Sequence, residues 1–175
     1  MGFIFSKNDS PLCESLLEND PQQTTITRTG DLILVPSSDL YVTLNNDPWQ
    51  HVGVIIIFER KRHVFIDGQF MDFDIFLDEY GSDEGFYVRQ LDCPRPIFFD
   101  KQVFKWARKV SVLVTELNME TEFYEGFAAG ALLAKMNCCS AEEVHRGRLR
   151  PYHFSSETAF KRLQICHYSK NIFFN

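Results

Sequence analysis

The sequence predicts an α+β fold, a small antiparallel sheet packed against two adjacent helices. Three observations lead there. His51-Val52-Gly53-Val54-Ile55-Ile56-Ile57-Phe58 is β-branched and apolar on both faces, the pattern of a buried central strand. Charged residues Glu59 to Arg62 then supply a hairpin turn, so the next strand, His63 to Asp67, returns antiparallel. Two neighbouring segments, 100–117 and 121–136, carry apolar residues at helical spacing.

The other elements follow in order. Asp31-Leu32-Ile33-Leu34-Val35, between Gly30 and Pro36, reads as the first strand. A polar loop with Asn45, Asn46, Asp47 and Pro48 leads to the central strand. Asp74 to Tyr80 reads as a short helix and Gly85 to Leu91 as another strand. Cys93-Pro94-Arg95-Pro96 is a rigid connector, because proline fixes φ. Asp100 caps a helix whose apolar positions are Val103, Phe104, Ala107, Val110, Val114 and Leu117. Thr121 caps the next helix, whose small residues from Ala128 to Ala131 allow close approach to the sheet. Residues 137–156 read as an irregular connector and Leu163 to Tyr168 as a last strand.

Length suits one domain, residues 30–175, preceded by an arm of residues 1–29. A hydrophobic share of 45% and 17 Phe give enough apolar area for a packed core and exclude wholesale disorder. A net charge of -6 gives no broad attraction to nucleic acid, which is therefore not an expected partner. The apolar run Val52 to Phe58 is far short of the roughly 20 residues of a spanning helix. No secretory signal peptide is expected at the start. The five cysteines show no CxxC spacing, which points to a reducing compartment, no zinc site and no cofactor.

Met1-Gly2-Phe3-Ile4-Phe5-Ser6 fits the N-myristoylation pattern, with Gly2 as acceptor and Ser6 at the hydroxyl position. One myristoyl chain holds a membrane only weakly, so a second signal is needed. Lys7 is the one basic residue before Arg28, so that signal would be palmitoylation at Cys13 or a protein partner. The polar stretch 8–29, with Pro11 and Pro21, reads as a linker or surface-hugging arm.

Gly30-Asp31-Leu32-Ile33-Leu34 is followed, after a variable loop, by His51-Val52-Gly53-Val54-Ile55. A strand ending at Asp67, a strand at Phe86 to Leu91 and two helices come next. This order resembles the circularly permuted papain-like group of the NlpC superfamily, over residues 30–170. Relatives in that group include bacterial YiiX-type and poxvirus proteins and, more distantly, lecithin retinol acyltransferase. The resemblance implies a cysteine hydrolase or acyltransferase architecture. In it a strand His is the general base, a polar residue on the following strand orients it, and a Cys opening a helix is the nucleophile. Carried over, His51 takes the place of the base and Asp67 that of the orienting residue. The third position departs from the family. There the chain reads Glu122-Phe123-Tyr124-Glu125-Gly126-Phe127, with Tyr124 or Glu125 where the Cys belongs. Cys138 and Cys139 sit at the other end of that helix, about 20 Å away at 1.5 Å per residue.

The expectation is therefore a catalytically inactive, myristoylated structural or adaptor protein. It would work at the cytosolic face of a membrane or inside a membrane-containing virion, with protein partners in a larger assembly. The alternative is a cysteine hydrolase or acyltransferase acting on lipid, thioester or amide bonds, which needs Cys138 or Cys139 to approach His51. A third reading is lipid or peptide binding beside His51, with Glu125 as a fixed charge. His145, His153 and His167 lack metal-ligand spacing. Arg146, Arg148 and Arg150 form a local basic run, read as a solvated loop or a phosphate contact. The acidic stretch of Asp72, Asp74, Asp78, Glu79, Asp83 and Glu84 lacks Ca-loop spacing and reads as a solvated face.

Overall fold

The computed structural model describes residues 28–37, 48–81, 85–117, 121–146, 149–155, 167–170 and 172–174. Its strands are β1 (Leu32–Pro36), β2 (Trp49–Phe58), β3 (Lys61–Ile66), β4 (Gln69–Asp72), β5 (Phe86–Arg89), β6 (Leu91–Asp92), β7 (His167–Tyr168) and β8 (Ile172–Phe174). The helices are α1 (Phe73–Tyr80), α2 (Phe99–Leu117), α3 (Thr121–Lys135) and α4 (Ala141–Arg146), followed by a 3-10 turn, Pro151–Phe154. Six strands form one antiparallel sheet in the order β4-β3-β2-β1-β5-β8, and β6 pairs with β7 in a separate two-stranded ladder. The fold is α+β, with the six-stranded sheet packed against three helices.

Alternation along each strand divides the core. Leu32 and Leu34 of β1, Val52, Val54 and Ile56 of β2 and Phe65 of β3 pack with α2 and α3. Ile33, Val35, Ile55, Val64 and Ile66 point the other way, onto Phe73 and Phe76 of α1. Because both faces are covered, β2 is apolar from Val52 to Phe58. The expectation of two helices accounts for one face only; α1 closes the second. Phe76 is fully buried there, which contributes roughly 2–3 kcal/mol.

Both hairpin turns of β2–β3–β4 follow from local chemistry. Register pairs Phe58 with Lys61 and Ile66 with Gln69, leaving two-residue loops at Glu59-Arg60 and Asp67-Gly68. All four loop residues have positive φ, the signature of type I′ turns that match strand twist. Lys61 and Arg62 thus belong to β3 and not to the turn. Gly68 suits its place for a second reason: a Cβ there would press on the Val114 side chain of α2.

Further differences from expectation are local. The strand expected over 85–91 breaks at Gln90 into β5 and β6. The connector 137–156 contains α4 and the 3-10 turn. The small residues of α3 receive this segment as well as the sheet: a Cβ at Gly126 would clash with the Leu149 carbonyl, and one at Gly130 with the Leu149 side chain. Of the expected last strand, His167 and Tyr168 form β7, while 163–166 lie outside the described residues.

Buried polar groups lock the strand ends. Thr29 Oγ1 accepts from the Ile57 amide at 2.9 Å. Asp31, fully buried, accepts from the Leu91 amide at 2.8 Å and from Arg95 Nη2 at 3.4 Å. Burial pushes the Asp31 carboxyl above its usual range, against the Leu91 hydrogen bond and the nearby Arg28 and Arg95 charges. Arg89 donates to the Phe154 carbonyl at 2.6 Å and the Ser169 carbonyl at 2.9 Å, fastening two C-terminal segments to β5. Among the described residues, no helix is long and apolar enough to cross a membrane.

Candidate functional site

His51 lies near the start of β2, paired with Val35 of β1. Its register places it on the Ile55 side of the strand, toward α1. The ring packs edge-on against Tyr80, the last residue of α1, with centroids 5.1 Å apart. Nδ1 lies 3.3 Å from Asp67 Oδ2, with the His side chain 14% exposed and the carboxylate 33%. Asp67 reaches this position because the type I′ turn holds it at the tip of the β3–β4 hairpin. A carboxylate on the Nδ1 side of the ring is the placement by which an imidazole is oriented for base work. At 3.3 Å the contact is at ion-pair distance without hydrogen-bond geometry.

The cysteines lie elsewhere. Helix α3 ends in a Schellman motif: Asn137 adopts positive φ, its amide reaches the Ala134 carbonyl, and the Cys138 amide reaches the Leu133 carbonyl at 2.8 Å. Cys138 is thus the residue that folds back over the helix end, 1% exposed, and Cys139 follows it into the same core. That core is on the α2/α3 side of the sheet, opposite His51. The Cys139 thiol donates to the Gly130 carbonyl at 3.4 Å. A helix C-terminus with inward-facing carbonyls disfavours a thiolate, so this environment opposes nucleophile activation. Cys93, half-buried, packs against the same core.

Glu125 is the fifth residue of α3, and its side chain, like that of Tyr124, lies outside the described residues. Gly2, Ser6, Lys7, Cys13, Arg148, Cys166, Asp83 and Glu84 also lie outside them, as do the side chains of His145 and Arg146. His153 has a structural part, its Nδ1 accepting from the Arg150 amide at 2.9 Å. His167 is exposed on β7 opposite Asp92. No group of three metal-ligating side chains occurs among the described residues.

One pairing escaped the sequence reading. His63 Nδ1 and Asp72 Oδ1 meet at 2.9 Å across β3 and β4, tighter than the His51 contact. They line an open groove of about 600 Å³ between the sheet edge and α2, with Phe58 stacked on Phe104 at 3.9 Å and Arg108 and Ser111 beside them. The Asp67-Gly68 dipeptide is the signal that could have revealed it, since a type I′ turn there requires a β4 carrying Asp72 back beside His63.

No family model matches this chain, and no curated protein matches it.

Proposed function

We propose that the chain is a non-catalytic member of the permuted papain-like group, acting as an adaptor held at a membrane by a myristoyl group on Gly2. The observation that carries the reading is the separation of the would-be partners. His51 and Asp67 are paired on the α1 side of the sheet, while Cys138 and Cys139 are packed at the C-terminal end of α3 on the other side. In this reading the base and its orienting carboxylate persist as packing, with Tyr80 covering the imidazole. Protein partners in a larger assembly, at the cytosolic face of a membrane or in a membrane-containing virion, would then supply the function. The cysteine hydrolase or acyltransferase alternative needs a thiol beside His51, which is a measurable property.

The test has two readouts. The mass of the N-terminal peptide should show a myristoyl group on Gly2, and Gly2→Ala should weaken membrane retention. His51→Ala should leave membrane retention unchanged. An unmodified Gly2 peptide would refute the anchor. Hydrolysis of a thioester or ester panel that His51→Ala abolishes would refute the non-catalytic reading.

A further inference from the structure

The segment leading into α2 exposes two large apolar side chains in succession, Ile97 at 95% and Phe98 at 74%. They are not on a floppy tip. Pro94 and Pro96 fix the backbone on either side of Arg95, and Arg95 donates to the Thr29 and Leu91 carbonyls and to buried Asp31. The Phe98 carbonyl accepts from the Gln102 amide, so Phe98 joins directly onto the first turn of α2. Two apolar side chains held rigidly in water mark a contact surface.

The residues that follow say what kind. At 100° per residue, Lys101, Lys105, Arg108 and Lys109 fall within one stripe about 100° wide, opposite the buried Val103, Ala107, Val110 and Val114. All four are exposed, and none forms an ion pair with a described residue. Continued backward, the same phase carries Phe98 onto the stripe. Of the helix's own acids, the one on that side, Glu116, stands at the far end from Ile97, while Glu59 and Asp72 of the sheet line the groove beside Arg108. A chain of net charge -6 therefore concentrates positive charge on one helix face, next to its two most prominent apolar residues. Apolar side chains at one end and a row of cations along a surface helix are what an anionic bilayer takes: side chains enter the acyl boundary and ammonium groups meet lipid phosphates.

We propose that this face of α2, with Ile97 and Phe98 as wedge, docks on an anionic membrane surface. It deepens the lipid-anchor reading and rests on it for its biological setting, since it would be the second signal that a single myristoyl chain requires. The surface can nevertheless be tested without the acyl group.

The experiment is co-sedimentation of full-length Gly2→Ala protein with vesicles of phosphatidylcholine alone or with phosphatidylserine added. The unacylated protein should sediment with the anionic vesicles, not with the neutral ones, and should be released by salt. Lys105→Glu with Lys109→Glu should weaken binding by about 25-fold or more, taking about fivefold per lysine near an anionic surface. Ile97→Ser with Phe98→Ser should weaken it about as strongly, while both double variants keep the parent melting temperature because the altered side chains are exposed. Absence of sedimentation with anionic vesicles, or binding that survives both double variants, would overturn the proposal; a protein partner with an acidic face would give the first result. An unmodified Gly2 in the native protein would defeat the anchor while leaving this vesicle result standing.

Discussion

Removing the Asp31 carboxylate tests how the domain is held shut. In Asp31→Ala the buried Leu91 amide loses its 2.8 Å acceptor and Arg95 loses its anion. An unpaired buried donor costs about 1–3 kcal/mol and a broken buried pair about 3–5. Arg95 is 21% exposed and keeps the Thr29 and Leu91 carbonyls, so its share is reduced. The expected loss is about 3 kcal/mol, or roughly 6–12 °C in melting temperature for a domain of this size. Asp31→Asn keeps an acceptor for Leu91 and sheds the burial cost of the charge, so about 1 kcal/mol or less is expected. The pH dependence has a definite sign. The folded-state pKa of Asp31 is raised by burial, so the folded protein binds that proton more tightly than the unfolded chain. The Asp31 contribution therefore grows as pH falls through the raised folded value toward the ordinary carboxyl value of 3.8, and is lost as pH rises. Urea unfolding of the three proteins across that acidic window measures it. Wild type should gain on Asp31→Asn as pH falls. An Asp31→Ala loss below 1 kcal/mol, or the opposite pH trend, would refute the reasoning.

Other outcomes follow from the same geometry. Asp67→Asn should change unfolding free energy by less than about 0.5 kcal/mol, because Asn-Gly suits a type I′ turn and the His51 contact is partly solvated. Gly126→Ala should destabilise by about 1–3 kcal/mol, since its Cβ meets backbone at Leu149 that cannot step aside; an unchanged denaturation midpoint would show that the 149–154 segment packs elsewhere. Arg89→Lys should cost about 2 kcal/mol in the same assay, because one ammonium cannot span both the Phe154 and Ser169 carbonyls.

The central hairpin and the two long helices were legible because their signals are local: an unbroken β-branched run, a charged turn, and apolar spacing over 19 residues in α2. Strand β4 is not legible because Gln69-Phe70-Met71-Asp72 is short and runs straight into the helix at Phe73, although Asp67-Gly68 signals the turn. β8 is three residues, held as a strand by pairing with β5 rather than by its own pattern. The side of the sheet that His51 takes was not legible for a different reason. A strand apolar on both faces carries no alternation to fix its orientation, and the register shift between Val35 and Pro36 near its start hides the phase further. The burial of Cys138 was equally invisible, since it follows from the positive φ of Asn137 and the Schellman turn it starts. His51 Nδ1 and Asp67 Oδ2 lie 3.3 Å apart.

The most direct measurement of the central claim is peptide-resolved alkylation of the native protein at mildly acidic pH, in wild type and His51→Ala. With His51 on one side of the sheet and Cys138 and Cys139 buried on the other, both cysteines should label slowly, at the same rate in the two proteins, and rapidly only in denaturant. Fast labelling of any cysteine that His51→Ala abolishes would reveal a thiolate–imidazolium pair and contradict the account.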